Sequence, residues 1–464
     1  MGTTAFRRSR VVLPCLLVVH AAVASCASSS DSPAAAAARS GSEHAAGAGN
    51  GSEEGGAAGA SASSFGTPAQ AGEVGGVGEG GASAGGQLAG SGGATMDGAA
   101  SGGSMGGGAS EPVVPCEWKS PGPGSLAGKY AAIFPIGAAV RAWDLENQTQ
   151  ILTSDFNHLT AENAMKAADI HPAENTFDWT EADRIADFAR QHCMKLTGHA
   201  LLWHRQAPAW MFKGIVAKDP ASLSTLKARL KAHIDAVVAR YADVVDNWDV
   251  VNEAISDTDA KTYRDAAEGS KWFELFGNHE YIYWAFLYAR DALEANAPGS
   301  SKGKLYYNEY VLTKKADKVL KMLAWLKGKG IDVDGVGFQS HEQLQWPAIA
   351  DLQTAFDKVS AAGYKIKISE LDVTVYADYA TGVFDPEPEV PFTAALETTQ
   401  AKRFASLFML YRKNRSIITS VTVWGISDDR TWLDNEPVVG RNDYPLLFND
   451  RHEPKAARNS IVSF

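Results

Sequence analysis

Eight short apolar segments alternate with longer amphipathic segments in the last three-quarters of the chain, and this alternation constrains the fold most. The short segments have the length and residue types of buried β-strands. These strand candidates are residues 133–140, 158–163, 195–203, 247–253, 304–310, 335–341, 365–373 and 420–427. Helical patterns between them include residues 181–191, 222–241, 280–296, 315–329, 349–362 and 399–413.

Strands that alternate with helices at this spacing predict a parallel sheet covered by helices. Eight repeats favour an α/β fold in which the sheet closes into a (β/α)8 TIM barrel, and an open doubly wound sheet is the alternative. Neither GxGxxG nor GxxxxGK[ST] follows any strand candidate, which removes the nucleotide-binding functions that would favour the open sheet. We therefore predict a single catalytic (β/α)8 domain over residues 116–464.

The residues before Cys116 lack the large apolar side chains that a core requires. All twelve tryptophans of the 464-residue chain lie at or after Trp118. Residues 26–115 are rich in glycine, alanine and serine, so burial cannot offset the entropy lost on ordering them, and they are predicted to be a disordered linker. The net charge of −11 argues against nucleic acid or an anionic membrane surface as a partner.

The first residues predict export. Three arginines among the first ten residues precede an apolar run, 11–24, that is short for a membrane span. The run ends in Val-Ala-Ser-Cys26, which resembles the lipobox of bacterial lipoproteins, where cleavage before the cysteine is followed by lipidation of its thiol. Residues 1–25 are therefore predicted to be a lipoprotein-type signal peptide, with lipidation at Cys26 as the one membrane contact. The protein would lie at the cell surface or outer membrane, or be secreted; an ordinary signal peptide is the alternative.

Apart from Cys15 in the signal peptide and Cys26 at the lipidation site, two cysteines remain, Cys116 and Cys193. An exported protein meets an oxidising compartment in which they can pair. Their separation along the chain does not establish that the two sulfur atoms are close, so the sequence leaves this bond open. The cysteines show no CxxC or Cys/His metal-binding spacing, and no metal is expected.

Polar side chains cluster where seven of the eight strand candidates end, which is where a (β/α)8 barrel builds its active site. A single charged residue at a strand end is usually solvated or caps a helix, but packing does not require seven such ends. In chain order they are Glu162, Asn163 and Lys166; His199, Trp203 and His204; Asn252 and Glu253; Asn308 and Glu309; Gln339 and His341; Glu370 and Asp372; and Trp424 and Asp428.

Two glutamates among amide, imidazole and indole neighbours suit glycoside hydrolysis. One carboxyl group protonates the leaving oxygen, while the other, ionised, attacks the sugar or activates water. Tryptophan faces stack on sugar rings, and the polar side chains bind hydroxyl groups. This chemistry requires no cofactor.

The segments around these residues resemble the successive signatures of glycoside hydrolase family 10, whose members are retaining endo-β-1,4-xylanases on a (β/α)8 barrel. The resemblance covers residues 126–464 in order. The matching segments are Phe156-Asn-His-Leu-Thr-Ala-Glu162-Asn163-Ala-Met-Lys166, Gly198-His199-Ala-Leu-Leu-Trp203-His204, Trp248-Asp-Val-Val-Asn252-Glu253, Gly335-Val-Gly-Phe-Gln339-Ser-His341 and Ile368-Ser-Glu370-Leu-Asp372.

The resemblance implies that Glu253 is the acid/base and Glu370 the nucleophile. It implies that Asn252 binds the sugar 2-hydroxyl, that Gln339 lies near the acid/base, and that His341 holds the nucleophile and helps to keep it ionised. The further sugar contacts that it implies are Glu162, Asn163, Lys166 and His199 on the non-reducing side of the cut, and Trp203, Trp424 and Trp432 at the cleavage point. Action as an acid near neutral pH would require a raised pKa for Glu253.

Two departures from the family pattern leave chain-length preference and tolerance of side branches open. Ala167 and Ala168 follow Lys166, where the family often has Trp or Pro, and the loop 428–437 continues differently after its Asp-x-x-x-Trp start. Two other functions also remain: a β-1,4-glucanase on the same barrel, and a non-catalytic glycan-binding surface lipoprotein. The presence of both glutamates argues against the latter. We expect a monomer that acts on xylan or xylo-oligosaccharides.

Overall fold

The computed structural model describes residues 116–297, 303–381, 383–384 and 389–464. The signal peptide (1–25), the lipidation site Cys26 and the linker (26–115) lie outside the described residues. The strands are β1 (Ile136–Val140), β2 (His158–Ala161), β3 (Lys195–Trp203), β4 (Val245–Asn252), β5 (Lys304–Glu309), β6 (Gly335–Phe338), β7 (His341–Gln343), β8 (Lys365–Thr374) and β9 (Ile418–Val423).

The α-helices include six that follow the predicted amphipathic segments and several short ones at the barrel ends. They are α1 (Leu126–Tyr130), α2 (Ala142–Asn147), α3 (Thr149–Asp155), α4 (Ala167–Ile170), α5 (Thr180–Gln191), α6 (Ala209–Phe212), α7 (Pro220–Tyr241), α8 (Lys271–Phe276), α9 (Glu280–Asn296), α10 (Leu312–Gly328), α11 (Ile349–Ala361), α12 (Asp378–Thr381), α13 (Ala394–Lys413) and α14 (Ala456–Val462). The six predicted helices are confirmed, with ends that differ by a few residues.

Eight parallel strands close into a barrel. Pairing runs from β6 through β5, β4, β3, β2 and β1 to β9 and β8, and the β6–β8 pair closes the circle, with Gly335 opposite Lys365. Within the described part of the chain, the ninth strand, β7, pairs only with β8. The (β/α)8 prediction is confirmed, and the open sheet is excluded.

The predicted strand 335–341 is divided in the structure. Ser340 has φ 58°, in the left-handed region, where an L-residue cannot continue the strand pleat. The barrel strand β6 therefore ends at Phe338, and β7 begins at His341 beside the second half of β8. This register places His341 opposite Asp372.

The longest helix, α7, shows why the amphipathic segments form helices against the barrel. Asp219 caps its first turn by accepting a hydrogen bond from the Ser222 backbone N–H, and Pro220 occupies the first helical position, where no N–H is needed. Each large aliphatic side chain buried this way contributes about 1.5–3 kcal/mol. The predicted apolar stripe is buried: Leu226, Leu230, Ile234, Val237 and Val238.

The interior of the barrel contains charge as well as apolar side chains. The Lys367 ammonium is 2.9 Å from Asp249 Oδ1 and donates to Asn247 Oδ1 at 2.7 Å. Gly198 is required beside them, because a Cβ atom there would lie 2.1 Å from the ring of buried Trp248. This polar floor lies below the carboxyl ends of the strands and helps to orient the residues above it.

Cys116 and Cys193 form a disulfide, with Cα atoms 5.3 Å apart, which answers the question that the sequence leaves open. Cys193 lies between α5 and β3, at the amino-terminal end of the barrel. Among the helices described here, none is long and apolar enough to cross a membrane.

Candidate active site

Glu253 follows the last residue of β4 and receives three hydrogen bonds on its carboxylate. Trp203 Nε1 donates to Oε2 at 2.9 Å, Gln339 Nε2 donates to Oε1 at 2.9 Å, and Asn252 Nδ2 donates to Oε1 at 3.2 Å. The backbone of Glu253 is left-handed, with φ 57°, and its carbonyl accepts a hydrogen bond from Arg264 Nε at 3.1 Å. These contacts hold the side chain over the mouth of the barrel.

Glu370 lies within β8, is buried, and has a cationic partner. Asn308 Nδ2 donates to its Oε1 at 2.6 Å, and His341 Nε2 is 3.3 Å from its Oε2. His341 Nδ1 is 2.9 Å from Asp372 Oδ2. Burial alone would lower the pKa of His341, but the Asp372 and Glu370 carboxylates outweigh burial and raise the pKa to about 10. The imidazole is therefore a cation at neutral pH, placed between two carboxylates.

The two glutamates belong to one hydrogen-bond network. Asn308 Nδ2, which donates to Glu370, also donates to Asn252 Oδ1 at 2.9 Å, and the Asn252 amide contacts Glu253. Ser369 Oγ orients the Asn308 amide by donating to its Oδ1 at 2.6 Å. Gly337 leaves room for this amide, since a Cβ atom there would lie 2.1 Å from Asn308 Oδ1. Two amides thus connect the carboxylates and fix their relative positions.

A second group of polar side chains extends the site from β2. Glu162 Oε2 accepts from Arg141 Nε at 2.6 Å, and Glu162 Oε1 accepts from Asn163 Nδ2 at 3.1 Å. Lys166 Nζ donates to Asn163 Oδ1 at 2.9 Å and lies 4.9 Å from the Trp203 ring centroid. Burial lowers the pKa of Lys166, although nearby glutamates partly compensate. These side chains therefore present hydrogen-bond donors and acceptors next to Trp203, whose indole donates to Glu253.

His199 and the remaining tryptophans complete the set of predicted residues. His199 is buried, its Nδ1 is 3.1 Å from Asp249 Oδ2, and its ring meets Trp424 edge-on at 5.3 Å between centroids. Trp432 Nε1 donates to Asp372 Oδ2 at 2.9 Å, and its ring centroid is 4.9 Å from that of His341. The structure therefore brings ten of the twelve predicted residues into one contact network and places the last two, His199 and Trp424, against each other.

The pKa of Glu253 differs from the sequence-based prediction. Burial raises it, but the charge of His204, the hydrogen bond from Gln339 and the charge of Arg264 outweigh burial and leave the pKa lowered. Burial lowers the pKa of His204 itself to about 3, so its charge acts only in strong acid. At higher pH the hydrogen bonds and Arg264 still favour the carboxylate. The raised pKa predicted for Glu253 is wrong, because the charges of His204 and Arg264 and the hydrogen bonds from Gln339 and Trp203 together outweigh desolvation.

Comparison with known proteins places this site in a family. The model of Glycosyl hydrolase family 10 matches residues 125–464. The chain belongs to glycosyl hydrolase family 10. All five of the quoted signature segments lie within the matched residues.

Relatives of this family 10 chain share most of their length with it. Endo-1,4-beta-xylanase A of Caldicellulosiruptor saccharolyticus is 41% identical over 347 residues, which cover 73% of this chain and 96% of the relative. The crystal structure of an endo-1,4-beta-xylanase from Caldicellulosiruptor owensensis aligns with a TM-score of 0.65 and 38% identity, covering 73% of this chain and 99% of that one. A mutant protein solved in complex with xylotriose aligns with a TM-score of 0.65 and 39% identity, covering 73% and 99%.

Three residues of the family 10 site were not assigned from the sequence. Asn308 is visible as a polar strand end, and only the structure reveals that its amide joins the two glutamates. Arg141 follows β1 and holds Glu162, while Arg264 lies in the loop after β4 and holds the Glu253 carbonyl. Neither arginine falls in a periodic segment or a quoted signature, so no sequence signal points to it.

Proposed function

We propose that this chain is a retaining endo-β-1,4-xylanase that cleaves internal bonds of xylan through a covalent glycosyl-enzyme intermediate. The observation that carries the proposal is the pair Glu253 and Glu370, whose carboxylates share one amide network at the carboxyl end of a family 10 barrel. The xylanase names of the relatives and the xylotriose complex of a neighbouring structure support the choice of substrate.

In the first step of the proposed mechanism, Glu370 attacks the anomeric carbon while Glu253 donates a proton to the departing glycosidic oxygen. The His341 imidazolium provides a positive partner for the attacking carboxylate, and Asp372 keeps that imidazolium in place. Asn308 orients the same carboxylate through its other oxygen. The C–O bond to the leaving sugar breaks as the ester to Glu370 forms.

In the second step, a water molecule enters from the side that the leaving sugar vacated. Glu253, now a carboxylate, takes a proton from this water, and the resulting nucleophile breaks the ester to Glu370. Two inversions at one carbon give net retention. The new reducing end is therefore the β anomer when it forms.

The remaining predicted residues are assigned to sugar recognition. Asn252 would bind the 2-hydroxyl of the sugar being cleaved, and Gln339 would support Glu253 beside it. Stacking of indoles on sugar faces and hydrogen bonds to hydroxyl groups provide the binding energy. The residues assigned to the non-reducing side are Glu162, Asn163, Lys166 and His199, and those assigned to the walls at the cleavage point are Trp203, Trp424 and Trp432.

We also propose the chain organisation that the sequence predicts. Residues 1–25 act as a lipoprotein-type signal, Cys26 carries the lipid, residues 26–115 form a linker, and residues 116–464 form one catalytic domain that works as a monomer. A lipid on Cys26 and a long polar linker together would hold the catalytic domain at a distance from the membrane while leaving it free to meet a polymer.

Parallel assays on xylan, β-glucan and carboxymethylcellulose test the activity. We expect reducing-sugar release from xylan; preferential release from the two glucans would support the β-1,4-glucanase, and no release would support the non-catalytic glycan-binding protein. Proton NMR during the first minutes of hydrolysis tests the mechanism. An α anomer at early times would contradict the role of Glu370 as nucleophile.

A further inference from the structure

Beyond Glu162, at the rim of the site, an arginine lies against an exposed tryptophan. The Arg430 guanidinium carbon is 4.2 Å from the ring centroid of Trp143. Trp143 belongs to α2, just after β1, and is 37% exposed, whereas Arg430 belongs to the loop after β9. Stacking on the indole holds the guanidinium plane and leaves its hydrogen-bonding edge in a defined orientation.

Arg430 forms no close ion pair within the described ranges of the chain, although its charge acts on the nearby Asp144 carboxylate. Its Nε is buried and has no hydrogen-bond acceptor among the described residues. Two acids nearby are engaged elsewhere: Asp144 Oδ2 accepts from the Arg141 backbone N–H at 2.7 Å, and Asp429 Oδ1 accepts from Ser427 Oγ at 2.6 Å. The Nε–H is shielded from solvent, so a ligand would meet the exposed part of the half-buried guanidinium, whose positive charge favours an anion.

The arginine is connected to the sugar-binding group by two short contacts. Its backbone carbonyl accepts from Arg141 Nη2 at 2.6 Å, and Arg141 Nε donates to Glu162 at 2.6 Å. Glu162 is assigned to the non-reducing side of the cut. The Arg430 backbone is therefore joined to Glu162 through Arg141, and its side chain lies over Trp143, two residues after Arg141, on the same side of the site.

We propose that Arg430 and Trp143 bind a uronic acid side branch of xylan on the non-reducing side of the cleaved bond. The guanidinium fork matches a carboxylate geometrically and electrostatically, and the exposed part of the indole offers an apolar surface to a sugar ring. The net charge of −11 disfavours polyanions in general, so a local cation is needed to accept this branch. The inference rests on the proposed function, because it takes Glu162 as a sugar contact.

The test compares three substrates: glucuronoxylan, the same polymer after reduction of its carboxyl groups to primary alcohols, and linear xylohexaose. Arg430→Gln should lower kcat/KM on glucuronoxylan about five- to tenfold, as expected for a partly exposed charge-assisted contact, with changes within about twofold on the other two. The loss should shrink in about 0.5 M NaCl, which screens the interaction. Trp143→Ala should lower kcat/KM on both branched polymers and leave kcat/KM on xylohexaose unchanged.

Two features keep this test decisive. The link from Arg430 to Arg141 uses the backbone carbonyl, so Arg430→Gln preserves it, and Arg415→Gln, at the opposite end of the barrel, is the matched control. Equal losses on native and carboxyl-reduced polymer, or no loss on the native polymer, would overturn the proposal. Inactivity of the unmodified protein on xylohexaose would instead contradict the proposed function.

Discussion

Glu253 and Glu370 have different kinds of partners, and the difference bears on their pH behaviour. The Glu253 carboxylate accepts hydrogen bonds from neutral donors, and its backbone carbonyl accepts one from Arg264. The Glu370 carboxylate instead lies next to the His341 imidazolium. Hydrogen bonds to the ionised form of a carboxyl group stabilise that form and lower the pKa of the group. At the residue scale, the proton donor of the proposed mechanism is thus the carboxyl group whose pKa the protein lowers.

The pH profile of kcat/KM tests this assignment. Activity requires protonated Glu253, so kcat/KM should fall as the pH rises through its pKa, and the lowered pKa places this basic limb on the acid side of neutrality. Glu253→Gln should abolish the basic limb. It should also slow hydrolysis of substrates with poor leaving groups by at least about 100-fold, and hydrolysis of activated aryl glycosides far less. A basic limb centred above pH 7 would contradict the lowered pKa, and equal losses on both substrate types would reassign Glu253.

The charge of His341 should make the free energy of unfolding decrease at alkaline pH. Its pKa is raised from about 6.5 to about 10, so the stabilisation from its charge is complete below pH 6.5 and is lost as the pH rises through 10. The free energy of unfolding should therefore decrease between pH 7 and pH 10, on the order of a few kcal/mol from this group. Denaturant titrations should show a shallower decrease for His341→Gln than for the control His192→Gln. Parallel slopes would show that His341 does not carry the charge.

At the scale of elements, the interruption of a strand at Ser340 positions His341, the cationic partner of Glu370. A continuous strand over residues 335–341 would carry His341 along the barrel wall. The left-handed Ser340 ends β6 and starts β7, so that His341 pairs in register with Asp372 and reaches Glu370. His341 can contact Glu370 because β6 does not continue past Phe338.

The disulfide joins the start of the described chain to the α5–β3 connection and should contribute stability without affecting catalysis. It closes a loop of 77 residues, for which loss of chain entropy in the unfolded state predicts about 4.5 kcal/mol. Cys193→Ser and Cys116→Ser should lower the unfolding free energy by similar amounts, about 2–4 kcal/mol, with kcat on xylan unchanged. Thiol counting under denaturing conditions checks the bond, and two free thiols in the unmodified mature protein would contradict it.

At the scale of the whole molecule, the barrel and the residues before it are expected to work independently. A chain that begins near Glu111 should keep its specific activity on soluble xylan within about twofold, because residues 26–115 lack the apolar side chains to contribute a core. Cys26→Ala in the full chain should move the protein from the membrane fraction to the soluble fraction with unchanged activity. Loss of activity on truncation would show that the segment packs on the barrel, and membrane association of the Cys26 variant would exclude lipidation there.

The sequence by itself determined the fold class and predicted which strand-end residues would lie together. Period-two and period-3.6 patterns report which side chains face a core, and eight repeats leave closure as the favoured arrangement. Parallel strands end at one edge, so residues far apart in the chain, such as Glu162, Glu253 and Glu370, could be assigned to one site before any distance was known.

Only the tertiary structure decided which atoms meet. The Cys116–Cys193 bond, the Asn308 amide between the glutamates and the stacking of Arg430 on Trp143 join segments that no local pattern relates. The direction of the Glu253 pKa shift likewise depends on burial and on donors from separate strands and loops. Periodicity reports the environment that a side chain faces, whereas a contact or a pKa depends on distances of a few ångströms between side chains, which arise only when the whole barrel packs.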